Sequence, residues 1–476
     1  MRVNAAIAGT GKSTKIRERM ETSKKSFLVA VPTIELNAEY ERCLPDVIDR
    51  IDSKVQNTDK KIISEILESI ASSGHMGITH TSLLSVLQKD HPKGWFEKHL
   101  IIDEILSSSI QHYSYDLSSL STIVNLIHVV EHPNNQDIFI LNLNDFLAVD
   151  CLLSGGIKDD SIGKVATSIL RTLSDPSYLH VTSKKLWNDF RFDIDNFSAG
   201  RLVFTSLLHA DCFNSFSSVE ILAADFFRSE MCLALKFQEV KFQDITHDQR
   251  QTHPNSKLIT INYFSERNWS KGLRDKEDSD ETTNSKKIAN FFMKQIGSRK
   301  FIWNANLDDR KDLESVFKQE ALTAVHGVNA YSDYTVAIFM PSRNLSPEFT
   351  DLTQQIGIPV DKINFARTQL AAYQFVMRLA IRKRNNTKPC DLYVMDKQTA
   401  DFLITRFPDA KVIKHSIDLI ESDIQNVGGR PKGITNQSYG KYEEAKRLMS
   451  QGSKKLEALK AADISRGTFD KIDKTE

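Results

Sequence analysis

The first fourteen residues constrain the fold of this chain more than any other stretch. An apolar run from Val3 to Ala8 ends in Gly9-Thr10-Gly11-Lys12-Ser13-Thr14, and a charged segment with helical spacing follows. This order predicts a buried strand, a tight loop and a helix, which is the setting of a phosphate-binding loop. The glycines let the loop turn with its N–H groups inward, and the helix N-terminus adds the positive end of its dipole.

Each part of the loop has a predicted role. The residues from Gly9 to Thr14 are expected to surround the phosphates of a nucleotide. Lys12 is expected to contact the β and γ phosphates, and Ser13 to bind Mg²⁺. The pattern usually begins with a glycine where this chain has Ala6, and alanine is the smallest replacement. By itself the loop is equally compatible with a kinase, a GTPase or another nucleotide hydrolase.

The length and composition of the chain set broad limits. At 476 residues it exceeds one ordinary core and favours two or three domains. Lysine plus arginine and aspartate plus glutamate each total 62, so the net charge identifies no partner. No apolar run is long enough to span a membrane, and the first strand begins too early for a signal peptide. Five scattered cysteines without Cys-x-x-Cys spacing argue against structural zinc and disulfides, so we expect a cytoplasmic protein, in the host cytoplasm if the source is viral.

Apolar runs alternate with helical segments through the first half of the chain. Strands are predicted at 26–31, 76–81 and 99–104. This alternation is typical of a doubly wound α/β domain, in which ligands bind at the carboxyl ends of parallel strands. The charged, periodic residues 46–72 predict an exposed helix, and the region from 105 to 215 has a mostly helical pattern.

Further apolar runs predict a second α/β unit in the other half of the chain. They lie at 257–261, 301–304, 335–340 and 392–396, and no phosphate loop accompanies them. A glycine-rich stretch near residue 428 then predicts a flexible linker. The predicted domains are therefore 1–245, 246–425 and 426–476, namely two doubly wound parallel-sheet domains and a small all-α domain.

Two adjacent carboxylates, Asp103 and Glu104, follow the apolar stretch that ends at Ile102. Hydrolysis of a nucleotide needs a fixed Mg²⁺ and a water directed at the γ phosphorus. Asp103 is predicted to hold the metal, and Glu104 to orient or deprotonate the water. An isolated Asp-Glu pair more often begins a solvated helix, but a preceding strand and a phosphate loop in the same chain favour the catalytic interpretation.

The order of these motifs resembles that of the superfamily 2, DEAD-like helicases, in particular the divergent members carried by phages and plasmids. Ala8 to Thr14 is similar to motif I of that family, and Asp103 to Leu106 to motif II. Between them, Val31 to Leu36 is similar to motif Ia and Gly77 to Leu84 to motif Ib. The resemblance implies two RecA-like domains with ATP and Mg²⁺ in the cleft between them. It also implies contacts to a nucleic-acid backbone from Pro32, Thr33, Thr79 and His80.

Two motifs of the resemblance lie in the middle of the chain. Leu222-Ala223-Ala224-Asp225 is similar to motif III, which couples hydrolysis to motion in that family. Thr323 to Tyr331, with the strand that follows, resembles motif V. The latter implies nucleic-acid contacts from Gly327 and Asn329.

The segment from Gln374 to Arg382 resembles motif VI, in which a glutamine and arginines reach across the cleft. The spacing of four residues predicts that Gln374, Arg378 and Arg382 share one helical face. An arginine in this position can stabilise charge on the transferring γ phosphoryl group. Which of the two arginines does so stays open, because the family's usual glycine is Met377 here. A solvated basic helix face is the alternative.

Residues 429–476 resemble the DNA-binding domain of Hin-type serine recombinases. Helices are predicted at 442–450 and 454–462, and a third after a turn, as in a helix-turn-helix. In those proteins a Gly-Arg-Pro arm lies in the minor groove and the third helix in the major groove. The residues implied to bind duplex DNA are Arg430, Pro431, Ser465, Arg466 and Thr468. A small helical cap or an oligomerisation tail is the alternative.

Together these features predict an ATP-dependent DNA helicase with single-stranded DNA at the motor and duplex DNA at the C-terminal domain. A role in phage or plasmid replication, such as opening an origin beside other replication proteins, is the hypothesis for its use. Two alternatives stay open. One is a duplex translocase or remodeller that does not unwind, and the other is a site-specific DNA-binding initiator or regulator in which nucleotide only sets the conformation. No membrane partner is expected.

Overall fold

The computed structural model describes residues 1–53, 59–70, 74–88, 96–117, 122–156, 161–196, 198–248, 250–279, 282–317, 331–420, 436–450, 455–462, 464 and 469. The chain divides into two compact units, residues 1–420 and 421–476. The described part of the first unit contains three β-sheets.

The elements alternate along most of the first unit. In chain order its strands are β1 (Arg2–Asn4), β2 (Phe27–Val31), β3 (Ile48–Arg50), β4 (His75–Thr79), β5 (Phe96–Asp103), β6 (Ile110–Leu117), β7 (Ile127–His132), β8 (Asn135–Leu143), β9 (Tyr178–Ser183), β10 (Gly200–Leu208), β11 (Phe216–Leu222), β12 (Gln243–Asp244), β13 (Ile259–Tyr263), β14 (Phe301–Asn304), β15 (Val336–Phe339), β16 (Cys390–Val394) and β17 (Lys411–Lys414). Its α-helices are α1 (Lys12–Thr22), α2 (Ile34–Cys43), α3 (Asp59–Ile70), α4 (His80–Leu87), α5 (Phe146–Cys151), α6 (Ser161–Leu173), α7 (Lys184–Asp195), α8 (Glu230–Phe237), α9 (Lys271–Arg274), α10 (Asn284–Ile296), α11 (Leu307–Glu314), α12 (Pro347–Gln355), α13 (Val360–Phe365), α14 (Ala371–Val376) and α15 (Lys397–Arg406).

The first lobe is built on a seven-stranded parallel sheet in the order β12-β1-β11-β5-β2-β4-β3. Successive side chains of a strand point to opposite faces, so a strand buried on both faces is a continuous apolar run. In β2, Leu28 and Ala30 face a core that includes α3, α4 and α8. Val29 and Val31 face a second core with α1 and α2. Helices therefore cover both faces of the sheet.

The second lobe repeats this arrangement with a five-stranded parallel sheet in the order β14-β15-β16-β13-β17. Ile302 and Ala337 pack towards α14 and α15. Trp303 and Ile338 pack on the opposite face, towards α10 and α11. The prediction of two doubly wound parallel sheets is confirmed.

The prediction of a mostly helical region between 105 and 215 is wrong. That region contains a five-stranded antiparallel sheet in the order β6-β10-β9-β8-β7, inserted between β5 and β11. Helices α5, α6 and α7 accompany it. Strand β10 is buried along nearly its whole length, so it lacks the alternation of apolar and polar residues that marks a half-buried strand.

Residues 46–72 also differ from the prediction of one exposed helix. Strand β3 pairs in parallel with β4 at the edge of the first sheet. Helix α3 follows, and its Ile62 and Ile66 are buried in the core of the first lobe. This helix is therefore amphipathic and packed, with only its charged side exposed.

The inserted sheet contacts the second lobe as well as the first. Leu352 of α12 is fully buried in the same apolar core as Val203 and Leu207 of β10. The rings of His112 and Phe349 stack with their centroids 5.1 Å apart. The two lobes therefore share a packed apolar contact at a distance from the cleft between their parallel sheets.

The second unit has a small core of its own. It contains α16 (Asn436–Ser450), which begins six residues before the predicted helix, and α17 (Lys455–Ala461), which lies within one residue of the predicted bounds. The rings of Tyr442 and Phe469 lie 4.9 Å apart between them. Most of the predicted third helix lies outside the described residues, and the helix-turn-helix stays a prediction. Among the described residues, no helix is long and apolar enough to cross a membrane.

Candidate active site

The loop between β1 and α1 is held open by two left-handed glycines. Gly9 has φ +77° and Gly11 has φ +78°, backbone angles that residues with a Cβ rarely adopt. Gly11 is the N-cap residue of α1. At Gly9, a Cβ would also lie 3.4 Å from the carbonyl oxygen of Arg382, which comes from the second lobe. The loop is thus packed directly against that lobe.

The ammonium group of Lys12 lies inside this loop. It donates to the carbonyl oxygen of Ala6 at 2.6 Å and to that of Ile7 at 3.1 Å. Burial lowers the pKa of Lys12 to about 8, although the nearby carboxylates of Asp103 and Glu104 oppose that shift. A buried ammonium among carbonyl dipoles is a strong site for an anion, because an approaching phosphate would neutralise the desolvated charge.

Asp103 ends β5 and faces the start of α1. Its Oδ2 accepts a hydrogen bond of 2.8 Å from Ser13 Oγ and another of 2.8 Å from Tyr40 OH. Burial and the neighbouring Glu104 raise the pKa of Asp103, whereas its two hydrogen bonds and Lys12 lower it. Burial raises the pKa of Tyr40 well above its ordinary value, so that residue stays a hydroxyl donor.

The oxygen atoms at this point fit a magnesium ion. Mg²⁺ prefers oxygen ligands and usually keeps several from water and from phosphates. Ser13 and Asp103 would supply two protein ligands. Among the described residues no group of three or more His, Cys, Asp or Glu could hold a metal on its own. The residues therefore suit a metal that arrives with a nucleotide better than a permanently bound one.

Glu104 is held in an unusual backbone conformation. Its φ of +73° is left-handed, which is costly for a residue with a Cβ and is concentrated at functional sites. Its N–H donates to the carbonyl oxygen of Leu222 in the neighbouring strand at 3.0 Å. The side chain turns towards the second lobe, where Arg378 Nη2 lies 3.3 Å from Oε2.

The far wall of the cleft comes from the second lobe. Gln374, Met377, Arg378 and Arg382 face the phosphate loop there. The prediction of one shared helical face is wrong, because α14 ends at Val376 and Arg382 lies in a separate 3₁₀ turn. Leu379 between them is extended, with ψ 178°. The chain thus presents the three predicted residues to the cleft from two short segments.

The cleft gathers the predicted nucleotide-binding residues of both lobes. It encloses about 790 Å³, including its open mouth. Residues lining it include Gly9, Thr10, Gly11, Lys12, Ser13, Thr14, Asp103, Glu104, Leu222, Ala224, Gln374, Arg378 and Arg382. The cleft is also lined by three residues that the sequence does not mark as nucleotide-binding, namely Arg17, Leu36 and Glu39. They occupy positions of α1 and α2 that carry no motif for nucleotide binding.

The end of β11, which resembles motif III, lies beside the phosphate loop. Asp225 has φ +55° and forms an ion pair with Arg406 of the second lobe. The burial of this carboxyl raises its pKa, and Arg406 and Arg228 lower it. No sequence motif marks the arginine at the end of α15, so the role of Arg406 becomes visible only in the structure.

A separate groove lies at the carboxyl ends of β2 and β4. Pro32, Thr33, Thr79 and Thr81 line it. Thr33 caps α2 and Thr79 caps α4, so their hydroxyl groups also fix the helix starts. His80 differs from its neighbours, because it is only 5% exposed and its Nε2 lies 3.1 Å from the Asp103 carbonyl oxygen. This placement supports the carboxylate strand and leaves little of His80 accessible to a nucleic acid.

Several predicted binding residues lie outside the described part of the chain. They are Gly327 and Asn329 in the segment that resembles motif V, and Arg430, Pro431, Ser465, Arg466 and Thr468 in the C-terminal unit. Their roles stay predictions.

Residues 236–405 match the family model described as the YonV C-terminal Rossmann-like domain. Among solved structures, the chain is similar to an XPD helicase, with 13% identity and a TM-score of 0.45 over 87% of this chain and 96% of that one. Xpd4 of S. tokodaii gives 11% identity and a TM-score of 0.43 over 87% and 96% of the two chains. A Dbp5 variant of S. cerevisiae bound to RNA and ADP BeF3 gives 11% and 0.35 over 87% and 85%. No curated protein matches the chain. Similarity at this level does not assign a function to this chain. The function has to be inferred from the residues of the cleft.

Proposed function

We propose that this protein is an ATP hydrolase of the superfamily 2 helicase type that works on nucleic acid. The observation that carries the proposal is the contact between Arg378 and Glu104 across the cleft, with Nη2 3.3 Å from Oε2. A phosphate loop alone would suit many nucleotide-binding proteins. A second lobe that brings arginines to the carboxylate beside that loop suits a hydrolase whose two lobes move relative to each other.

The roles of the residues follow from their positions. Lys12 and the N–H groups from Gly9 to Thr14 would bind the ATP phosphates. Ser13 and Asp103 would hold Mg²⁺, which when bound neutralises phosphate charge. Glu104 would orient the attacking water and accept its proton. Charge on the γ phosphoryl oxygens would be stabilised by Arg378 or Arg382, with Gln374 beside them.

Nucleic acid would bind in the groove at the ends of β2 and β4. Threonine hydroxyls and backbone N–H groups at helix starts bond phosphates without reading bases. We assign this contact to Pro32 and Thr33, with Gly327 and Asn329 as candidates on the other lobe, whereas Thr79 is only 8% exposed and its hydroxyl caps α4. A single strand of DNA held by both lobes would then move as the cleft opens and closes.

The C-terminal unit would anchor the motor to duplex DNA. This part of the proposal rests on the resemblance of residues 429–476 to the Hin-type domain, with Arg430 in the minor groove and Arg466 and Thr468 in the major groove. Such an anchor suits a site-directed role, for example opening an origin in phage or plasmid replication. Footprinting across the source genome tests it, and the absence of any preferred duplex fragment would exclude it.

The test of the central proposal is ATP hydrolysis with and without single-stranded DNA, single-stranded RNA and duplex DNA. Wild type should hydrolyse ATP faster with single-stranded DNA, and Lys12→Ala should not hydrolyse it at all. A forked-duplex unwinding assay separates a helicase from a translocase, which would hydrolyse ATP without separating the strands. ATP binding without hydrolysis under all conditions would overturn the proposal and favour a nucleotide-dependent switch.

A further inference from the structure

The phosphate loop is contacted from the second lobe by a tyrosine hydroxyl as well as by Arg382. The N–H of Ala8 donates to Tyr373 OH at 3.1 Å. Tyr373 belongs to α14, immediately before Gln374, and it is completely buried. A buried hydroxyl at hydrogen-bond distance from the loop backbone restrains that backbone, because breaking the bond would take one partner from the buried hydroxyl and the acceptor from the N–H of the half-buried Ala8.

A second hydrogen bond holds the same hydroxyl. His253 Nε2 lies 2.8 Å from Tyr373 OH. The hydroxyl oxygen has two acceptor positions and one hydrogen, so while it accepts from Ala8 it either donates to His253 Nε2 or accepts from it, according to the tautomer of the imidazole. Burial lowers the pKa of His253 to about 4, in keeping with the neutral form.

His253 belongs to the segment that joins the two lobes, between β12 and β13. Its N–H donates to the carbonyl oxygen of Arg406 at 2.9 Å, and its ring stacks on Phe407 at 5.1 Å between centroids. Arg406 in turn forms the ion pair with Asp225, whose N–H reaches the carbonyl oxygen of Ala5 at 3.4 Å. This buried set of polar residues thus contacts the strand-to-loop connection at Ala5 and at Ala8.

We propose that Tyr373 is a positioning residue for the phosphate loop, which it contacts through the Ala8 N–H. His253 holds the Tyr373 hydroxyl, and the Asp225–Arg406 pair holds the segment that joins the two lobes. The proposal rests on the proposed function in one respect, that the loop binds the phosphates of ATP. The Ala8 N–H lies next to Gly9, where the loop turns, so the hydroxyl sets the direction in which the following N–H groups point.

The position of Tyr373 makes nucleotide affinity depend on the second lobe. A movement of α14 during opening or closing of the cleft carries the hydroxyl with it and shifts the loop backbone. Loss of the hydroxyl should therefore weaken nucleotide binding more than it slows the chemical step. A tyrosine that only filled space would behave differently, because phenylalanine would replace it without changing nucleotide affinity.

The experiment compares Tyr373→Phe with wild type in the full chain, using KM and kcat for MgATP and the Kd of a non-hydrolysable ATP analogue. The variant keeps the ring and removes one buried hydrogen bond, so KM and Kd should rise about tenfold, with kcat within about threefold of wild type. Tyr263→Phe is the matched control, because it removes another hydroxyl of the second lobe. That hydroxyl lies outside the cleft and donates a hydrogen bond of 3.2 Å to the Glu266 carboxylate. This control should leave all three constants unchanged.

A double-mutant cycle with His253→Ala tests whether the two residues act together. If they form one chain of hydrogen bonds, the second substitution should add little to the rise in Kd produced by Tyr373→Phe. Additive effects, or an unchanged Kd in Tyr373→Phe beside a lower unfolding temperature, would overturn the proposal.

The outcomes also separate this inference from the proposed function. If the wild-type protein binds the analogue but does not hydrolyse ATP, the proposed hydrolase function is wrong. The comparison of Kd values between Tyr373→Phe and wild type still decides the role of Tyr373. Wild type that binds no nucleotide would overturn both.

Discussion

Arg378 and Glu104 form an ion pair across the cleft between the two lobes, with Arg378 Nη2 3.3 Å from Glu104 Oε2. The arginine side chain is only 3% exposed, whereas the glutamate side chain is 22% exposed. A buried guanidinium needs a counter-charge, and the left-handed backbone of Glu104 directs a carboxylate towards it. The same carboxylate is the proposed general base, so a movement of the second lobe would take away or restore the arginine partner of that base.

Replacing Glu104 with Gln should lower ATP turnover at least about a hundredfold, because the amide cannot accept a proton from water. Binding of MgATP should persist, since the phosphate loop and Asp103 are unchanged. Single-turnover hydrolysis and a binding titration measure the two effects. The control is Glu97→Gln, an exposed residue of the same strand β5, which should match wild type. Turnover in Glu104→Gln close to that of wild type would exclude this residue as the base.

Arg378→Ala should lower the free energy of unfolding as well as the rate of hydrolysis, because it removes the partner of Glu104. For a buried pair the loss of one partner costs about 3–5 kcal/mol, and the partial exposure of Glu104 places the expected cost below that range. Urea unfolding of Arg378→Ala, Glu104→Gln and the double variant measures the coupling. The double variant should be more stable than the sum of the single losses predicts. Arg382→Ala should slow hydrolysis with a weaker coupling to Glu104 than Arg378→Ala shows, because the Arg378 guanidinium lies 3.3 Å from the Glu104 carboxylate. Equal coupling in both arginine variants would contradict this assignment.

The parallel sheets could be predicted because strands buried on both faces are continuous apolar runs. Residues Phe27–Val31 are all buried, and their composition alone indicates this. The inserted sheet could not be predicted in the same way. Its strand β7 is mostly half-buried or exposed without regular alternation, whereas β10 is almost entirely buried, so the two share no common pattern.

In the cleft, too, some residues could be identified from short sequence motifs and others only from the packing of the folded chain. Lys12, Ser13, Asp103 and Glu104 are marked by short motifs, and the structure brings them together. Tyr40 carries no such mark, since a tyrosine on an amphipathic helix is usually a core residue. It reaches Asp103 only because α2 packs beside the end of β5. The end of α14 at Val376 could not be predicted either, because the segment from Ala371 to Leu379 contains neither glycine nor proline.

Thr81→Glu should weaken binding of single-stranded DNA without changing ATP affinity. Thr81 is exposed in the groove at the ends of β2 and β4, and a carboxylate there would repel phosphates. Repulsion between unit charges a few ångström apart in water costs about 1 kcal/mol, which corresponds to a loss of roughly fivefold at low salt. Fluorescence anisotropy at two salt concentrations measures the effect, which should shrink as salt rises.

The control for this groove is Thr22→Glu, which adds the same charge at the exposed end of α1. It should bind DNA as wild type does. Equal DNA affinities for Thr81→Glu and wild type would remove the groove from the proposed path of the nucleic acid.

Two buried histidines, His180 and His253, and the half-buried His112 should make the folded chain sensitive to mild acid. Burial lowers the pKa of His112 to about 3 and those of His180 and His253 to about 4, against an ordinary value of 6.5. Between pH 6.5 and about 4 the unfolded chain binds protons that the folded chain does not. Stability is therefore full above pH 6.5 and is lost as pH falls through that window, by about 1.4 kcal/mol per pH unit for each histidine.

His180→Gln isolates one of these contributions. His180 lies in the inserted sheet, where its Nδ1 is 2.7 Å from Ser206 Oγ, and glutamine keeps a hydrogen-bonding group that does not titrate. The free energy of unfolding in urea, measured from pH 7 to pH 5, should fall less steeply for His180→Gln than for wild type, whatever the offset between the two curves. Parallel curves for His180→Gln and wild type would mean that His180 is protonated in the folded chain at the same pH as in the unfolded one.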